Sequence, residues 1–327
     1  AGIATLDLSE FHFAMHRTLL PTPAQFTSLW GRTAPALFCT HPQNQLSARS
    51  RQDRRTSRAF MGKKADAPAQ AITIIGGGRI GQALVDMGPG SDVLLKRGSS
   101  FPKDAPSPII VCTRNDALEG VIESVPKDRH GDLVFIQNGM LQPWLEGRGL
   151  ASATQLLVYF AVAKAGDTPV DGKTDVNPEG LTSVWGPHSE AVAQRLAAGG
   201  LACKVLDRPA FLQAMLEKLV WISAFMLVGV THGGCSVGEV ERVHSQQTAE
   251  LVEELASAGA AALGVRLEAG AWERLAAYAR SVANYPTALK EFEWRNGWFK
   301  ELSREASASG KQDPCPMHTR LLAGLGY

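Results

Sequence analysis

The sequence predicts an α/β fold in which a doubly wound parallel sheet is followed by an all-helical C-terminal domain. Three observations support this prediction. A short β-branched run ends in a glycine-rich turn within residues 71–81. Strand-like and helix-like segments then alternate as far as residue 206, which is typical of a parallel sheet. After Asp207 the strand signals disappear, and helical patterns continue to the C-terminus.

The first strand and helix flank the most specific motif of the chain. Residues 71–81 read AITIIGGGRIG, so Gly76, Gly78 and Gly81 match G-x-G-x-x-G between a strand at 71–75 and a helix at 79–87. The first glycine of this motif allows a tight turn, the second lets a pyrophosphate approach the backbone, and the third lets the helix pack on the strand. Free N–H groups at the helix start attract the anion. The motif predicts a Rossmann-type dinucleotide site; the alternative is a glycine-rich turn without a ligand.

The alternation continues beyond the first helix. We predict strands at 92–96, 108–113, 132–137, 156–163, 181–185 and 202–206, and helices at 117–125 and 189–198. The segment GSSFPKDAPS between Arg97 and Pro108 is too short and too rich in proline to hold a helix and a strand. One βα unit of the usual mononucleotide-binding fold is therefore expected to be missing.

The C-terminal part has the pattern of a helical domain. Pro209 suits the first turn of a helix with Asp207 near its N-cap. We predict helices at 210–230, 244–264, 268–283 and about 286–307. The apolar stretch 219–230 is too short to cross a bilayer and indicates a buried helix. The predicted organisation is a dinucleotide-binding domain at 69–208 and a helical substrate or dimerisation domain at 209–327.

The N-terminal residues 1–68 differ from the rest in composition. Up to Lys64 they contain nine lysines and arginines but only three acidic residues, with the densest basic run, RSRQDRRTSR, at 49–58. Such a basic, hydroxyl-rich segment is typical of a plastid or mitochondrial transit peptide. A disordered extension or a mistaken gene start is the alternative, in which case the protein would be cytoplasmic.

Bulk composition restricts the classes of partner. With 45% apolar residues, 20% charged residues and a net charge of +1, the chain is typical of a globular enzyme and shows no broad polyanion-binding character. We therefore expect a small-molecule substrate and neither a nucleic acid nor a membrane partner. The five cysteines lack C-x-x-C spacing and the histidines lack metal-ligand spacing, so no metal site is predicted.

The end of the second predicted strand indicates which nucleotide binds. In NAD-binding versions of the fold a carboxylate at this place holds the ribose hydroxyls. Here Lys96 and Arg97 are followed by Ser99 and Ser100, and Asp92 lies at the opposite end of the strand. Two cations and two hydroxyls favour a 2′-phosphate, so we predict NADP(H). A solvated basic turn is the alternative.

Several segments resemble, in order, the ketopantoate reductases (2-dehydropantoate 2-reductases). They are IIGGGRIGQAL, IIVCTRNDALEGVIESV, LVFIQNGM, LEKLVWISAFMLVGVTHGGCSVGEV and WRNGWF, and the resemblance covers about residues 70–327. It implies a Rossmann-type domain followed by a helical domain similar to the C-terminal domain of 6-phosphogluconate dehydrogenase. It also implies a reductase that moves hydride from NADPH to a 2-oxo acid or a related carbonyl compound. The sequence leaves the oligomeric state open, with a homodimer as one candidate.

The resemblance assigns a proton-donating lysine to Lys218. The residue pattern agrees, because Phe211, Met215, Lys218 and Ile222 lie on one face of the predicted helix. Reduction of a carbonyl creates an alkoxide, which a positioned ammonium stabilises and protonates. A lysine on an apolar stripe is otherwise a snorkelling side chain or the partner of a buried acid.

Further roles come from the same resemblance. Glu291 is expected to bind the substrate hydroxyl, and Asn138 to lie near nicotinamide and substrate. The alternatives are a solvated helix face for Glu291 and a simple Asn-Gly turn for Asn138. Arg114 replaces a lysine of the family and is expected to bind a substrate carboxylate or phosphate. The predicted cofactor-binding residues are Gly76, Gly78, Arg79, Ile80, Gly81, Lys96, Arg97, Thr113 and Asn138.

The chain also departs from the family pattern. The family has substrate-binding asparagines four and eight residues after its lysine, where this chain has Ile222 and Met226. Each lost hydrogen bond is worth about 1 kcal/mol. We therefore expect a divergent member that acts on a 2-oxo compound less polar than ketopantoate.

Two other functions fit the sequence. A non-catalytic NADP-binding sensor or assembly protein would keep the nucleotide site and lose turnover. A dehydrogenase of the 6-phosphogluconate or glycerol-3-phosphate type would need cations for a substrate phosphate, for which Arg114 and Arg295 are candidates.

Overall fold

The computed structural model describes residues 70–327, and the predicted transit segment lies outside them. A seven-stranded sheet occupies the first part of the described chain. Its strands are β1 (Thr73–Ile75), β2 (Val93–Leu95), β3 (Ile109–Val111), β4 (Leu133–Phe135), β5 (Thr154–Leu157), β6 (Ser183–Trp185) and β7 (Lys204–Val205).

The strand order is β2-β1-β3-β4-β5-β6-β7. Strands β1 to β5 pair in parallel, β6 runs antiparallel to β5, and β7 pairs in parallel with β6. The chain passes from β1 outward to β2 and then returns to the other side of β1 to form β3. This reversal of direction is the place where open α/β sheets bind ligands.

Helices cover both faces of the sheet: α1 (Arg79–Asp86) and α4 (Ser189–Ala198) on one, α2 (Leu118–Ser124) and α3 (Gln142–Glu146) on the other. Successive strand side chains point to opposite faces. In β3, Ile110 packs with α1 and α4, whereas Ile109 and Val111 pack with α2 and α3. The predicted doubly wound parallel sheet is thus confirmed.

The connection from β2 to β3 contains no helix. Residues 96–108 cross from the sheet edge to the far side of β1 in turns and irregular backbone. The sequence prediction that one βα unit is missing is therefore confirmed, and β2 is left as the edge strand beside β1.

After the sheet, the described chain is helical. The helices are α5 (Arg208–Thr231), α6 (Val237–Val243), α7 (Ser245–Leu263), α8 (Ala271–Ser281), α9 (Asn296–Ala308) and α10 (Pro316–Gly324). The predicted all-helical region is confirmed. Leu157 at the end of β5, together with Met140 and Tyr159 from the segments after β4 and β5, belongs to the same apolar core as α5, so the helices pack on the carboxyl ends of these strands.

Helix α5 is the centre of this helical layer. Asp207 caps it by accepting the N–H of Ala210 at 2.9 Å, and proline occupies its first turn, as predicted. By length and composition alone α5 could cross a membrane, but 72% of the residues in its apolar window are buried in the described structure. Burial of this kind is typical of the core helix of a globular protein.

Some elements differ from their predicted bounds. Strand β5 ends at Leu157 instead of 163, because the chain leaves the sheet there and pairs only through an isolated bridge between Ala161 and Val170. The predicted helix at 286–307 begins only at Asn296. The short helices α3, α6 and α10 have no counterpart among the helices predicted from periodicity.

A buried ion pair joins the beginning of β2 to α4. Arg195 and Asp92 are each 1% exposed at their side chains and contact at 2.5 Å. Arg195 also donates to the carbonyls of Leu84 and Gln70, and Asp92 accepts the N–H of Ile72. Asp92 is therefore a structural residue at the edge of the sheet remote from the glycine turn.

Candidate active site

The predicted site residues converge at one edge of the sheet. Because β1 to β5 run in parallel, their carboxyl ends meet at this edge. The residues that follow the five strands are Gly76 after β1, Lys96 after β2, Thr113 after β3, Asn138 after β4 and Val158 after β5.

The glycine turn has the geometry that the motif predicts. Gly76 has a φ of +112°, and a Cβ there would lie 2.8 Å from the carbonyl oxygen of Cys112. A Cβ at Gly81 would lie 1.9 Å from the carbonyl oxygen of Gly76, so only glycine lets α1 pack this closely. By contrast, nothing lies within 4 Å of a Cβ placed on Gly78, which leaves open space over the turn. Gly76 and Gly81 thus have the predicted geometric roles, and the phosphate contact of Gly78 stays a prediction.

The start of α1 offers unpaired donors. Its N-cap, Gly78, has no side chain to accept from the first turn, and that turn contains no acidic residue. Backbone N–H groups at such a terminus favour an anion. Beside the turn, the hydroxyl oxygen of Thr113 is buried without a hydrogen-bond partner in the described structure. The open space, the free donors and this hydroxyl together fit a nucleotide.

Arg79 and Ile80 have structural contacts of their own. Arg79 donates from Nη1 to the carbonyl of Ala163 at 3.1 Å, which ties α1 to the loop after β5. Ile80 packs partly buried against the sheet core. Their predicted cofactor contacts stay predictions.

The end of β2 places cations beside the glycine turn. The side chain of Lys96 passes over Gly77, where a Cβ would meet Lys96 Cγ at 3.3 Å. Lys96 and Arg97 are both exposed. The hydroxyl of Ser99 accepts the N–H of Lys96 at 3.2 Å, which closes the turn after β2. The side of the glycine turn next to β2 is therefore basic.

Lys218 lies on α5, where the helix crosses the end of β5. It is only 5% exposed, and its ammonium donates to the carbonyl oxygen of Val158. The ring of Tyr159 lies 4.6 Å from Nζ, a favourable cation–π position. Among the described residues, no carboxylate forms an ion pair with Lys218.

The surroundings of Lys218 disfavour its charge. Burial, and after it the nearby Arg295 guanidinium, lower the pKa of Lys218 from the usual 10.5 to about 7. An amine with a pKa near neutrality can release a proton at neutral pH and recover it from water. Lys218 can therefore be present in both protonation states near neutral pH.

Glu291 is ion-paired with Arg295. The two side chains are 19% and 14% exposed, and Arg295 Nη2 donates to Glu291 Oε2. The other carboxylate oxygen of Glu291 lies 3.4 Å from the backbone nitrogen of Asn115. Glu291 has a φ of +48°, and no other non-glycine residue of the described chain has a positive φ. Strained backbone of this kind is concentrated at functional sites.

The segment 291–295 docks on the ends of β3 and β4. The N–H of Met140 donates to the carbonyl of Trp294 at 2.7 Å. Gly139, with φ of +108°, is so close to this segment that a Cβ would lie 2.5 Å from the same oxygen. Asn115 donates its side-chain amide to the carbonyl of Asn138 at 3.1 Å. Glu291, Asn138 and the end of β3 are thus brought together.

Of the two remaining predicted features, Arg114 lies outside the site and the apolar face of α5 lies where it was expected. Arg114 is 76% exposed and pairs with Asp116 at 3.1 Å, so its side chain points to solvent in this structure. Ile222 is 6% exposed and Met226 half-buried, which confirms that the face of α5 beyond Lys218 is apolar.

Two contributors to this edge, Asn115 and Val158, are not among the predicted residues, and Arg295 is predicted only as a cation for a substrate phosphate. Asn115 links Glu291 to Asn138, Val158 binds the Lys218 ammonium through its carbonyl, and Arg295 pairs with Glu291 and, after burial, lowers the pKa of Lys218. Backbone contacts such as that of Val158 leave no sequence signal. The Arg295 pair did leave one, since Glu291 and Arg295 are four residues apart with opposite charges.

Comparison with solved structures identifies the fold. The first similar structure is 2-dehydropantoate 2-reductase from Methylococcus capsulatus, with a TM-score of 0.59, 15% identity, and coverage of 79% of this chain and 96% of that one. The dimeric ketopantoate reductase from Staphylococcus aureus gives a TM-score of 0.55 at 16% identity, covering 78% of this chain and 98% of that one.

The chain has the fold of the ketopantoate reductases. D-mandelate dehydrogenase in its complex with NADH and anilino(oxo)acetate shares this fold, with a TM-score of 0.54, 14% identity, and coverage of 78% and 98% of the two chains. No family model and no curated protein matches the sequence. The ketopantoate reductase-like resemblance read from the motifs is therefore confirmed in the fold, at the low identity expected of a divergent member.

Proposed function

We propose that this protein is an NADPH-dependent reductase of a small 2-oxo acid or a related carbonyl compound. The observation that carries the proposal is Lys218, a buried amine with a pKa near 7 at the edge of the sheet that holds the glycine turn. The similar solved structures are named as reductases or dehydrogenases of this chemical type.

The residues around the glycine turn fit a nicotinamide dinucleotide. We propose that Gly76, Gly78 and Gly81 with the start of α1 hold the pyrophosphate, and that Lys96 and Arg97 hold a 2′-phosphate. The cofactor-binding set further includes Arg79, Ile80, Thr113 and Asn138. When bound, the reduced nicotinamide supplies the hydride for reduction.

Lys218 is the proposed proton donor. In the overall reaction a 2-oxo acid, NADPH and one proton give a 2-hydroxy acid and NADP⁺. The Lys218 ammonium is held by the carbonyl of Val158 and the ring of Tyr159, so a polarised carbonyl oxygen would receive its proton at a fixed place. Burial strengthens its interaction with developing negative charge.

The remaining proposed roles concern substrate binding. Glu291 and Asn138 lie together at the ends of β3 and β4, which supports their contact with the substrate. Arg114 would have to leave Asp116 and turn inward to bind a carboxylate. The apolar surface of Ile222 and Met226 favours a substrate with a hydrocarbon side chain over one with hydroxyl groups.

The test combines binding with turnover. We expect NADPH to bind more tightly than NADH, and NADPH oxidation to depend on an added 2-oxo acid. Because the Lys218 ammonium must be charged to donate, kcat/KM should fall as pH rises above about 7. Lys218→Ala should lose about 100-fold or more in kcat with NADPH affinity unchanged. Equal turnover in the variant would refute the role of Lys218.

A non-catalytic NADP-binding sensor or assembly protein is the second candidate. It is favoured by one observation: Lys218 and Glu291 already have protein partners, Val158 and Arg295. Such a protein would bind NADPH and oxidise it with none of a panel of 2-oxo acids, ketones and aldehydes, and Lys218→Ala would behave as wild type in every NADPH-linked assay.

Two proposals concern the protein in the cell. The basic N-terminal segment supports delivery to a plastid or mitochondrion, which a fluorescent fusion of residues 1–68 would test. A homodimer is proposed by analogy with the dimeric ketopantoate reductase from Staphylococcus aureus, and sedimentation would test it.

A further inference from the structure

Arg295 is a largely buried arginine of the candidate site whose hydrogen-bond donors are only partly paired. Its side chain is 14% exposed, and one terminal nitrogen, Nη2, donates to Glu291. Its Nε is buried and has no hydrogen-bond partner in the described structure. An unpaired buried donor costs free energy, so a site that retains one is prepared for an acceptor.

The pairing with Glu291 is incomplete in geometry. A guanidinium and a carboxylate make their strongest contact through two parallel hydrogen bonds. Glu291 uses one oxygen for Nη2, while its other oxygen faces the backbone nitrogen of Asn115 at 3.4 Å. Glu291 reaches this position from the left-handed backbone region, which costs about 1 kcal/mol or more. The pair is therefore weaker than the one that a free carboxylate could form.

Arg295 is also the guanidinium whose charge acts on the proposed proton donor. After burial, its charge is the second cause of the lowered pKa of Lys218, so the two cations lie within electrostatic range of each other. The alternative carboxylate-binding cation, Arg114, is 76% exposed and paired with Asp116. The face of α5 beyond Lys218 provides hydrocarbon at Ile222 and Met226. Of the two arginines, only Arg295 combines partial burial with a donor, Nε, that has no hydrogen-bond partner in the described structure.

We propose that Arg295 binds the carboxylate of the 2-oxo acid and that Glu291 occupies this position in the substrate-free protein. This inference rests on the proposed reductase function. In a 2-oxo acid the carbonyl carbon is bonded directly to the carboxylate, so anchoring the carboxylate on Arg295 brings the carbonyl oxygen toward the neighbouring Lys218. Because two carboxylates repel each other on one guanidinium, the substrate displaces Glu291, and this role of Glu291 replaces the direct substrate contact described under the proposed function.

Opposite effects of two substitutions test the proposal. Arg295→Lys keeps the charge but loses the planar fork, so selectivity for a 2-oxo acid over its neutral methyl ester should fall about tenfold or more. Glu291→Gln weakens the competing group, so the KM for the acid should fall about threefold or more while the KM for the ester stays constant. The matched control is Arg304→Lys, because Arg304 lies exposed on α9 and pairs with Glu301.

The ratio of kcat/KM for the acid to kcat/KM for the ester separates an effect on carboxylate binding from an effect on folding. Partial unfolding lowers both values equally and leaves their ratio unchanged. A second readout needs no turnover. Oxamate, an unreactive 2-oxo acid analogue, should bind to the NADPH complex of the wild-type protein. Its affinity should be higher for the NADPH complex of Glu291→Gln and about tenfold or more lower for that of Arg295→Lys. Trp294 stands beside Arg295 and offers a fluorescence signal.

The outcomes distinguish this inference from the proposed function. Turnover of the acid with an unchanged acid-to-ester ratio in Arg295→Lys overturns the assignment of Arg295 and leaves the reaction standing. A raised KM for the acid in Glu291→Gln overturns displacement and favours direct contact between Glu291 and the substrate. Arg295-dependent oxamate binding without any turnover supports the assignment and refutes the reaction. Absence of oxamate binding to the wild-type NADPH complex overturns the assignment.

Discussion

At the scale of single residues, Lys218 shows what a sequence can and cannot indicate. Its place on the apolar face of α5 follows from helical spacing and is confirmed by its 5% exposure. The groups that set its chemistry come from elsewhere: Val158 from the end of β5, and Arg295 from just before α9. Spacing along one helix predicts burial, whereas the lowered pKa depends on contacts between distant segments.

The lowered pKa of Lys218 makes stability depend on pH. The folded-state pKa is about 7 and the unfolded amine titrates near 10.4, so between these values the unfolded chain binds more protons. The destabilising effect of Lys218 is therefore complete below pH 7 and disappears as pH rises toward 10.4. We expect Lys218→Met to raise the Tm relative to wild type, and by more at pH 6 than at pH 9.

The measurement is thermal unfolding followed by circular dichroism at both pH values. Lys311→Met is the control, because Lys311 is exposed near the C-terminus. A Tm difference between Lys218→Met and wild type that is the same at pH 6 and pH 9 would contradict the lowered pKa.

At the scale of elements, a helix or strand could be predicted where its own residues carry a steric or periodic pattern. The glycine turn predicted β1 and α1 because a Cβ at Gly76 or Gly81 would clash with the backbone, so both positions require glycine. Helix α6 was missed although Ser236 and Glu239 form a capping box at its start, since its seven residues are too few to show helical periodicity. The loop 282–291, which positions Glu291, has no repeating pattern to read.

Gly78 and Gly81 differ in what a methyl group would meet, and this difference predicts different phenotypes. A Cβ on Gly81 would lie 1.9 Å from the carbonyl oxygen of Gly76, whereas nothing lies within 4 Å of a Cβ on Gly78. We expect Gly81→Ala to lose about 2 kcal/mol or more of unfolding free energy. Gly78→Ala should keep the wild-type Tm and weaken NADPH binding, because its methyl group occupies the space proposed for the pyrophosphate.

Denaturant unfolding and NADPH titration of both variants provide the check. Each variant acts as the control for the other, since the substitution is chemically identical and the two sites are three residues apart. Wild-type NADPH affinity in Gly78→Ala would contradict the proposed position of the pyrophosphate without affecting the description of the fold.

At the scale of the whole molecule, the carboxyl and amino ends of the strands differ in function. The carboxyl ends of the parallel strands carry the candidate site, with its open turn, free donors and strained Glu291. The opposite edge carries the buried pair of Asp92 and Arg195. The position of Asp92 at the start of β2 follows from the sequence, but its partner Arg195 does not, because the two residues are 103 positions apart.

The Asp92–Arg195 pair should therefore affect stability without affecting the site. Removing one partner leaves a buried, uncompensated charge, so Arg195→Met should lose about 3–5 kcal/mol of unfolding free energy. The double variant Asp92→Leu/Arg195→Met removes both charges and should recover much of that loss, although the carbonyls of Leu84 and Gln70 then lack their donor. Urea unfolding of the single and double variants measures the coupling between the two residues. NADPH affinity of the folded double variant should equal that of wild type, because the pair lies at the far edge of the sheet; a weakened affinity would show that the two edges are energetically linked.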